Sequence, residues 1–248
     1  MEVHHHPKAG KKNFKEYFLE FLMIFLAVTM GFIAENIREH ITENKIAAEL
    51  AESLYKEVYS DSITVHKDLE MMLNVRDKRI RHFRDYIRDS SLTDLSQSFY
   101  DAAFSGFLRN YHFEPKDGIL SQLRNSGSLR HFKSNKIQEE IGELSVAIAN
   151  VRSRNAVEEE FIVTTSRPFL LKYFDYTWFE TNMYEPSKQN IKPQILNISS
   201  FNKVDAINLA TAFLMMNRST CYYSYQPYAD VNHQLLEALR KEYKVKNE

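Results

Sequence analysis

The stretch YFLEFLMIFLAVTMGFIA, residues 17–34, is the one segment of this chain that nearly fills the length of a membrane span. An α-helix rises about 1.5 Å per residue, so it covers roughly 27 Å, close to the roughly 30 Å hydrocarbon core of a bilayer. Its only ionised residue, Glu20, lies near one end. A helix apolar on nearly every face needs lipid or protein all round it, and the stretch reads as a single membrane anchor. Two other readings compete with it. A cleaved export signal would take Lys8, Lys11, Lys12 and Lys15 as its basic leader and Thr29-Met30-Gly31 as its cleavage site. Glu20 would then fall inside an apolar region longer than the roughly 7–15 residues such signals carry. The third reading is a buried core helix of a soluble domain.

Working outward, the flanks set an orientation, because Lys and Arg near a span stay on the cytoplasmic side while acids contribute little. The leader, residues 1–16, holds four lysines, whereas residues 35–52 hold only Arg38 and Lys45. The expected topology is a cytoplasmic leader, an anchor at 17–34 in a bacterial inner membrane, and a periplasmic domain over 35–248. Hydrophobic residues make up 44% of the chain and the formal net charge is -1, a composition that suits a folded domain and argues against nucleic acid as a partner. The single cysteine, Cys221, cannot form an intrachain disulfide, which leaves packing to hold the domain together.

Six glycines and six prolines punctuate the chain, with no glycine between Gly31 and Gly106. Such scarcity favours long helices. The first is expected to run from the anchor to about Asp89, with a kink near Ser60-Asp61-Ser62. Its core face is read as Ala47, Leu50, Ala51, Leu54, Val58, Ile63, Leu69, Leu73, Ile80, Phe83 and Ile87. A second helix, capped by Thr93 or Asp94, reaches Tyr111. A short third opens at Pro115 and closes at Gly127. Asn135 with Gln138 resembles a capping box for a long helix toward Tyr173, bent or ended by Pro168. A loop over 185–200 precedes two last helices, 202–217 and 229–243, separated by Pro227. No alternating strand pattern appears, so the fold class is all-α, a helical bundle joined to one N-terminal transmembrane helix.

The opening MEVHHHP, the segment KKNFKEYFLEFLMIFLAVTMGFIAENIREHI and the block GILSQLRNSGSLRHFKSNKIQEEI resemble a group of single-pass, membrane-anchored helical proteins from Bacteroidota. That group places a Leu-x-x-Ser-Gly-x-Leu turn after its anchor, matched here by Leu123, Ser126, Gly127 and Leu129. The resemblance covers most of the first 145 residues and the remainder loosely. It implies a bacterial source and an envelope location, and it carries no activity across. Physically, Gly127 can take the positive φ that ends a helix, with Leu123 and Leu129 pinning its two sides.

The candidate sites are surfaces. Glu20, Ile24, Ala27, Gly31 and Ala34 line one stripe of the anchor, and Ala27 with Gly31 forms a small-x-x-x-small pair that lets helices approach closely. Glu20 on that stripe reads either as an interhelical carboxyl or as a solvated group at headgroup level. The aromatic clusters around Tyr176 and Trp178, and Tyr222, Tyr223 and Tyr225, are candidate partner surfaces, with core packing as the alternative. Glu158-Glu159-Glu160 reads as a solvated helix face. The trio His4, His5 and His6 and the scattered His66, His82, His112, His131 and His233 show no metal-ligand spacing. No nucleophile elbow, phosphate loop or dinucleotide fingerprint is present; neither an enzyme nor a cofactor is expected.

Three functions remain. The favoured one is a membrane-anchored, non-enzymatic scaffold or accessory subunit that binds itself or another envelope membrane protein. The second is a periplasmic small-ligand sensor acting through a partner, and the third an oligomeric ion or proton pathway using Glu20.

Overall fold

The computed structural model describes residues 13–92, 95–108, 112–184 and 192–245, apart from the Met183 side chain. The histidine trio, most of the lysine leader, the Thr93/Asp94 cap, Tyr111 and residues 185–191 of the expected loop lie outside the described residues. The fold is all-α, a helical bundle with one long apolar N-terminal helix, and no strand occurs among the described residues. The chain divides into two units, Met1–Leu50 and Ala51–Glu248, and the boundary falls within the first helix.

The first unit is the N-terminal part of helix α1, Phe14–Glu70. No side chain between residues 13 and 46 is buried, and its apolar window is long and hydrophobic enough to cross a membrane.

In the second unit three long rods pack together, and each is two α-helices joined without a break by a π-helical turn. Rod one joins the rest of α1 through Met71–Arg76 to α2, Asp77–Asp89. Rod two joins α5, Asn135–Phe161, through Ile162–Ser166 to α6, Arg167–Tyr173. Rod three joins α8, Lys203–Thr220, through Cys221–Tyr225 to α9, Gln226–Tyr243. Shorter helices α3 (Gln97–Phe107), α4 (Gly118–Asn125) and α7 (Tyr176–Tyr184) fill the flanks.

Rod three runs antiparallel to both others. Arg240 bonds Tyr55, Asn232 the Val58 carbonyl and Tyr228 Asp61, while Asn217 reaches Met72 and Asp77. Against rod two the pairs descend likewise, from Arg154–Thr220 to Phe161–Phe213.

Helix α1 runs unbroken through Ser60-Asp61-Ser62. Asp61 is instead buried and accepts bonds from the Tyr228 hydroxyl and the Lys116 amide at 2.9 and 2.8 Å. Nor do the two prolines break their rods. Pro168 and Pro227 each sit two residues beyond a π turn, with the carbonyl four residues back inside that turn. A proline costs a helix its missing N–H and a clash with that carbonyl, and a π turn has already opened the ladder there.

The caps move by small steps. Ser96 rather than Thr93 or Asp94 caps α3, and Ser134 caps α5 by accepting from Ile137 N, while Gln138 donates to the Phe132 carbonyl. Helix α4 begins at Gly118 instead of Pro115, because Glu57 reaches over from α1 to accept from Ile119 N at 3.0 Å. Gly127 has φ +69° with open space around a would-be Cβ, so conformation alone requires the glycine. Leu123 is buried beneath the turn.

Candidate functional site

The first and third π turns border one buried polar cluster. A π turn widens a helix by one residue and redirects its side chains and carbonyls, which is why such turns gather at sites with special demands. Arg76, the last residue of the first turn, is fully buried and bonds Glu158, also fully buried, on α5. Its Nε donates to the Gly106 carbonyl at 3.2 Å, and its guanidinium lies 4.5 Å from the centroid of the Phe213 ring. His112 Nε2 approaches the same Glu158 oxygen at 3.4 Å.

Asn217, just before the third turn, ties the rods together. Its Nδ2 donates to the Met72 carbonyl inside the first π turn at 3.0 Å and to Asp77 Oδ1 at 2.9 Å. Arg218 then pairs with the other Asp77 oxygen at 3.2 Å. Beside this cluster, Tyr225 donates to Asn155 Oδ1 and accepts from Phe113 N, while Asn155 donates to the Phe113 carbonyl.

The electrostatics favour holding charge over transferring it. Burial works against the Glu158 carboxylate, but His112 beside it and the charge of Arg76 outweigh it and hold its pKa below the ordinary glutamate value. The nearby Cys221 thiol is buried and pushed up to about 12, first by burial and then by Glu158 and Asp77. A thiol this protonated is a poor nucleophile at neutral pH, and an already ionised, ion-paired carboxylate is a poor general acid.

The sequence reading missed this cluster, and Glu158 is its clearest correction. Instead of sharing a solvated face with Glu159 and Glu160, Glu158 points inward because α5 turns about 100° per residue and puts neighbouring glutamates on different faces. The buried residues of α5, Ile137, Ile141, Leu144, Ile148, Val151 and Asn155, step by four and three onto position 158, and Arg76, distant in sequence, supplies its counterion.

The aromatic surfaces are also corrected in part. Trp178 is 3% exposed, with its ring 4.7 Å from Tyr100 in the main aromatic core, and Tyr225 is wholly buried. Both are large enough that burial contributes more than display, and the hydroxyl of Tyr225 is satisfied inside. Tyr176 is half-buried, edge-on to Phe104. Tyr222 and Tyr223 are exposed, and Tyr223 joins Val146 and Pro227 along a shallow groove of about 470 Å³ between α5 and α9. On the apolar N-terminal part of α1, Ile24, Ala27, Gly31 and Ala34 are exposed and Glu20 half-buried. Among the described residues no group of His, Cys, Asp and Glu has metal-site geometry.

A larger groove of about 1300 Å³ lies between α2, α3 and α7, with Lys78, Arg79 and His82 on one wall and Tyr176, Phe179 and Glu180 on another. No family model, curated protein or solved structure matches the chain.

Proposed function

We propose that this protein is a membrane-anchored, non-enzymatic scaffold or accessory subunit of a bacterial envelope complex, fixed in the inner membrane with its C-terminal domain in the periplasm. One observation carries the reading: the apolar window of α1 is 0% buried, while the second unit has a core of its own. An exposed surface of this size needs lipid or another chain to cover it. The buried charges Arg76, Glu158 and Asp77 support the non-enzymatic part, since they are engaged with one another, with Asn217 and with a backbone carbonyl. Tyr222 and Tyr223 offer a partner the low-entropy aromatic contact that recognition surfaces favour.

Membranes carrying the full-length protein are washed with alkaline carbonate and then solubilised gently. The protein is expected to remain in the pellet and to co-purify at a mass above one chain. Release into the wash, or a lone monomer under several mild detergents, defeats the proposal.

The second reading, a small-ligand sensor, is favoured by the groove beside α7, which is larger than the roughly 300–1,000 Å³ of ordinary ligand pockets. A metabolite that raises the melting temperature of the wild type but not of Arg79→Ala would promote it, because a ligand stabilises only the state it binds.

A further inference from the structure

The shallow groove of about 470 Å³ on which Tyr223 stands lies wholly within the second unit. Along α5 its lining runs from Glu139 to Asn150, three helical turns or roughly 16 Å at about 1.5 Å per residue. Rod three supplies the other wall, from Tyr223 to Val231. The floor is made of small residues: Gly142 has open space where a Cβ would stand, and Ala147 and Ser224 are buried. The rims are apolar and uncovered, with Val146 62% exposed and Tyr223 81%. A low floor between two raised helices is the shape into which the ridge of a third helix packs.

Two independent observations indicate the chemistry of an occupant. At one end Glu139 and Glu143 are exposed, and neither makes an ion pair among the described residues. Glu140, beside them in sequence, is buried, and one of its carboxylate oxygens makes no hydrogen bond. Burial, and then the charge of Glu143, push the Glu140 pKa up. Like charges one turn apart repel, and a cation brought alongside relieves them. Toward the other end Ser224 lines the groove, is 5% exposed, and its Oγ makes no hydrogen bond. Buried hydroxyls are ordinarily bonded, so this one is a polar anchor for whatever fills the groove.

We infer that this groove receives one α-helix of a different envelope protein, apolar along one face and carrying Lys or Arg where it passes Glu139 and Glu143. The inference rests on the scaffold reading and deepens it by assigning the surface and the kind of partner. A second copy of this chain would bring the same carboxylates to the contact, whereas a basic helix neutralises them. The apolar floor and rims supply the burial, and the acidic end fixes which way the partner helix runs along the groove.

The test uses full-length protein in native membranes, carrying a photoreactive phenylalanine analogue at position 146 or 223. Positions 171 and 204, exposed apolar sites elsewhere, serve as controls. Irradiation is expected to give adducts from 146 and 223 and none from 171 or 204. Mass spectrometry of the attached peptide is expected to show apolar residues three and four apart with Lys or Arg within a turn of them. Gly142→Leu fills the floor, and the double variant Glu139→Lys, Glu143→Lys reverses the charge of the acidic end. Each should lower the adduct yield by about tenfold or more and keep the wild-type melting temperature, because all three positions are exposed. Absence of adducts, adducts with a second copy of the chain, an attached segment without basic residues, or an undiminished yield in either variant overturns the inference. Co-purification in mild detergent separates the two claims. A complex that persists without groove adducts removes only the groove assignment, whereas a lone monomer removes the scaffold reading with it.

Discussion

Glu158 shows how much of this fold depends on one buried charge. Taking an ion pair out of water costs several kcal/mol per ion, and only close geometry with further hydrogen bonds recovers it. Here Arg76 has Glu158, the Gly106 carbonyl and the Phe213 face, and Glu158 has His112 as well. Glu158→Gln leaves the Arg76 charge buried without its counterion, and we expect it to destabilise the protein by about 3–5 kcal/mol in denaturant titration. The double variant Arg76→Met, Glu158→Leu removes both charges and should recover most of that loss. If the double variant is no more stable than Glu158→Gln, the charge imbalance is not the cause. The acidic run hid this residue, because a glutamate there is ordinarily solvated, although the spacing of Ile148, Val151 and Asn155 leads on to position 158. Ile63 and Asp61 make the same point: the isoleucine is 58% exposed and the aspartate 2%. Burial follows the seven-residue repeat of α1, and hydrophobicity alone chose the wrong member of that pair.

At the scale of elements, the long helices were legible because helix breakers are so few. Their continuity was not, because a proline in an α-helix normally ends it and nothing in the sequence announces a π turn. Ile162–Ser166 and Cys221–Tyr225 each open the hydrogen-bond ladder ahead of a proline, converting two expected breaks into uninterrupted rods. The extra residue also sets the phase of everything downstream. In rod three, Tyr225, Tyr228 and Asn232 all meet partners on other elements, at Asn155, Asp61 and Val58. Deleting the exposed Tyr222 would restore an ordinary α-helical count and rotate those side chains by about 100°. We expect that deletion to abolish cooperative unfolding, while Tyr222→Ala, which removes only an exposed ring, stays within about 0.5 kcal/mol of wild type. Near-equal stabilities for the deletion and the alanine variant would mean that the π turn carries no register information.

For the whole molecule, carboxyls of opposite tendency set the dependence of stability on pH. Burial raises the pKa of Asp61, only partly offset by the bonds from Lys116 and Tyr228, and burial raises Asp68 as well. Glu158 is lowered despite its burial, and Asp117 is lowered by its hydrogen bond from Arg152. A raised carboxyl binds a proton in the folded state that the unfolded chain has released, so its contribution is complete below the unfolded value of about 4 and is lost as pH rises through the folded value. A depressed carboxyl contributes above the unfolded value and loses that contribution as pH falls through the folded one. The two groups act on opposite sides of the ordinary carboxylate range, so acidification from neutrality should first stabilise the fold and then, below about pH 4, destabilise it. Melting temperature measured from pH 7 downward should therefore pass through a maximum on the mildly acidic side, with each kcal/mol reading as about 2–4 °C for a domain of this size. Asp61→Asn supplies the neutral form at every pH, and its melting curve should show a smaller rise between pH 7 and pH 5 while keeping the acid-side fall that Glu158 produces. A wild type that loses stability steadily from pH 7 downward, or an Asp61→Asn protein with an unchanged rise, would show that Asp61 is not the group whose burial sets this slope.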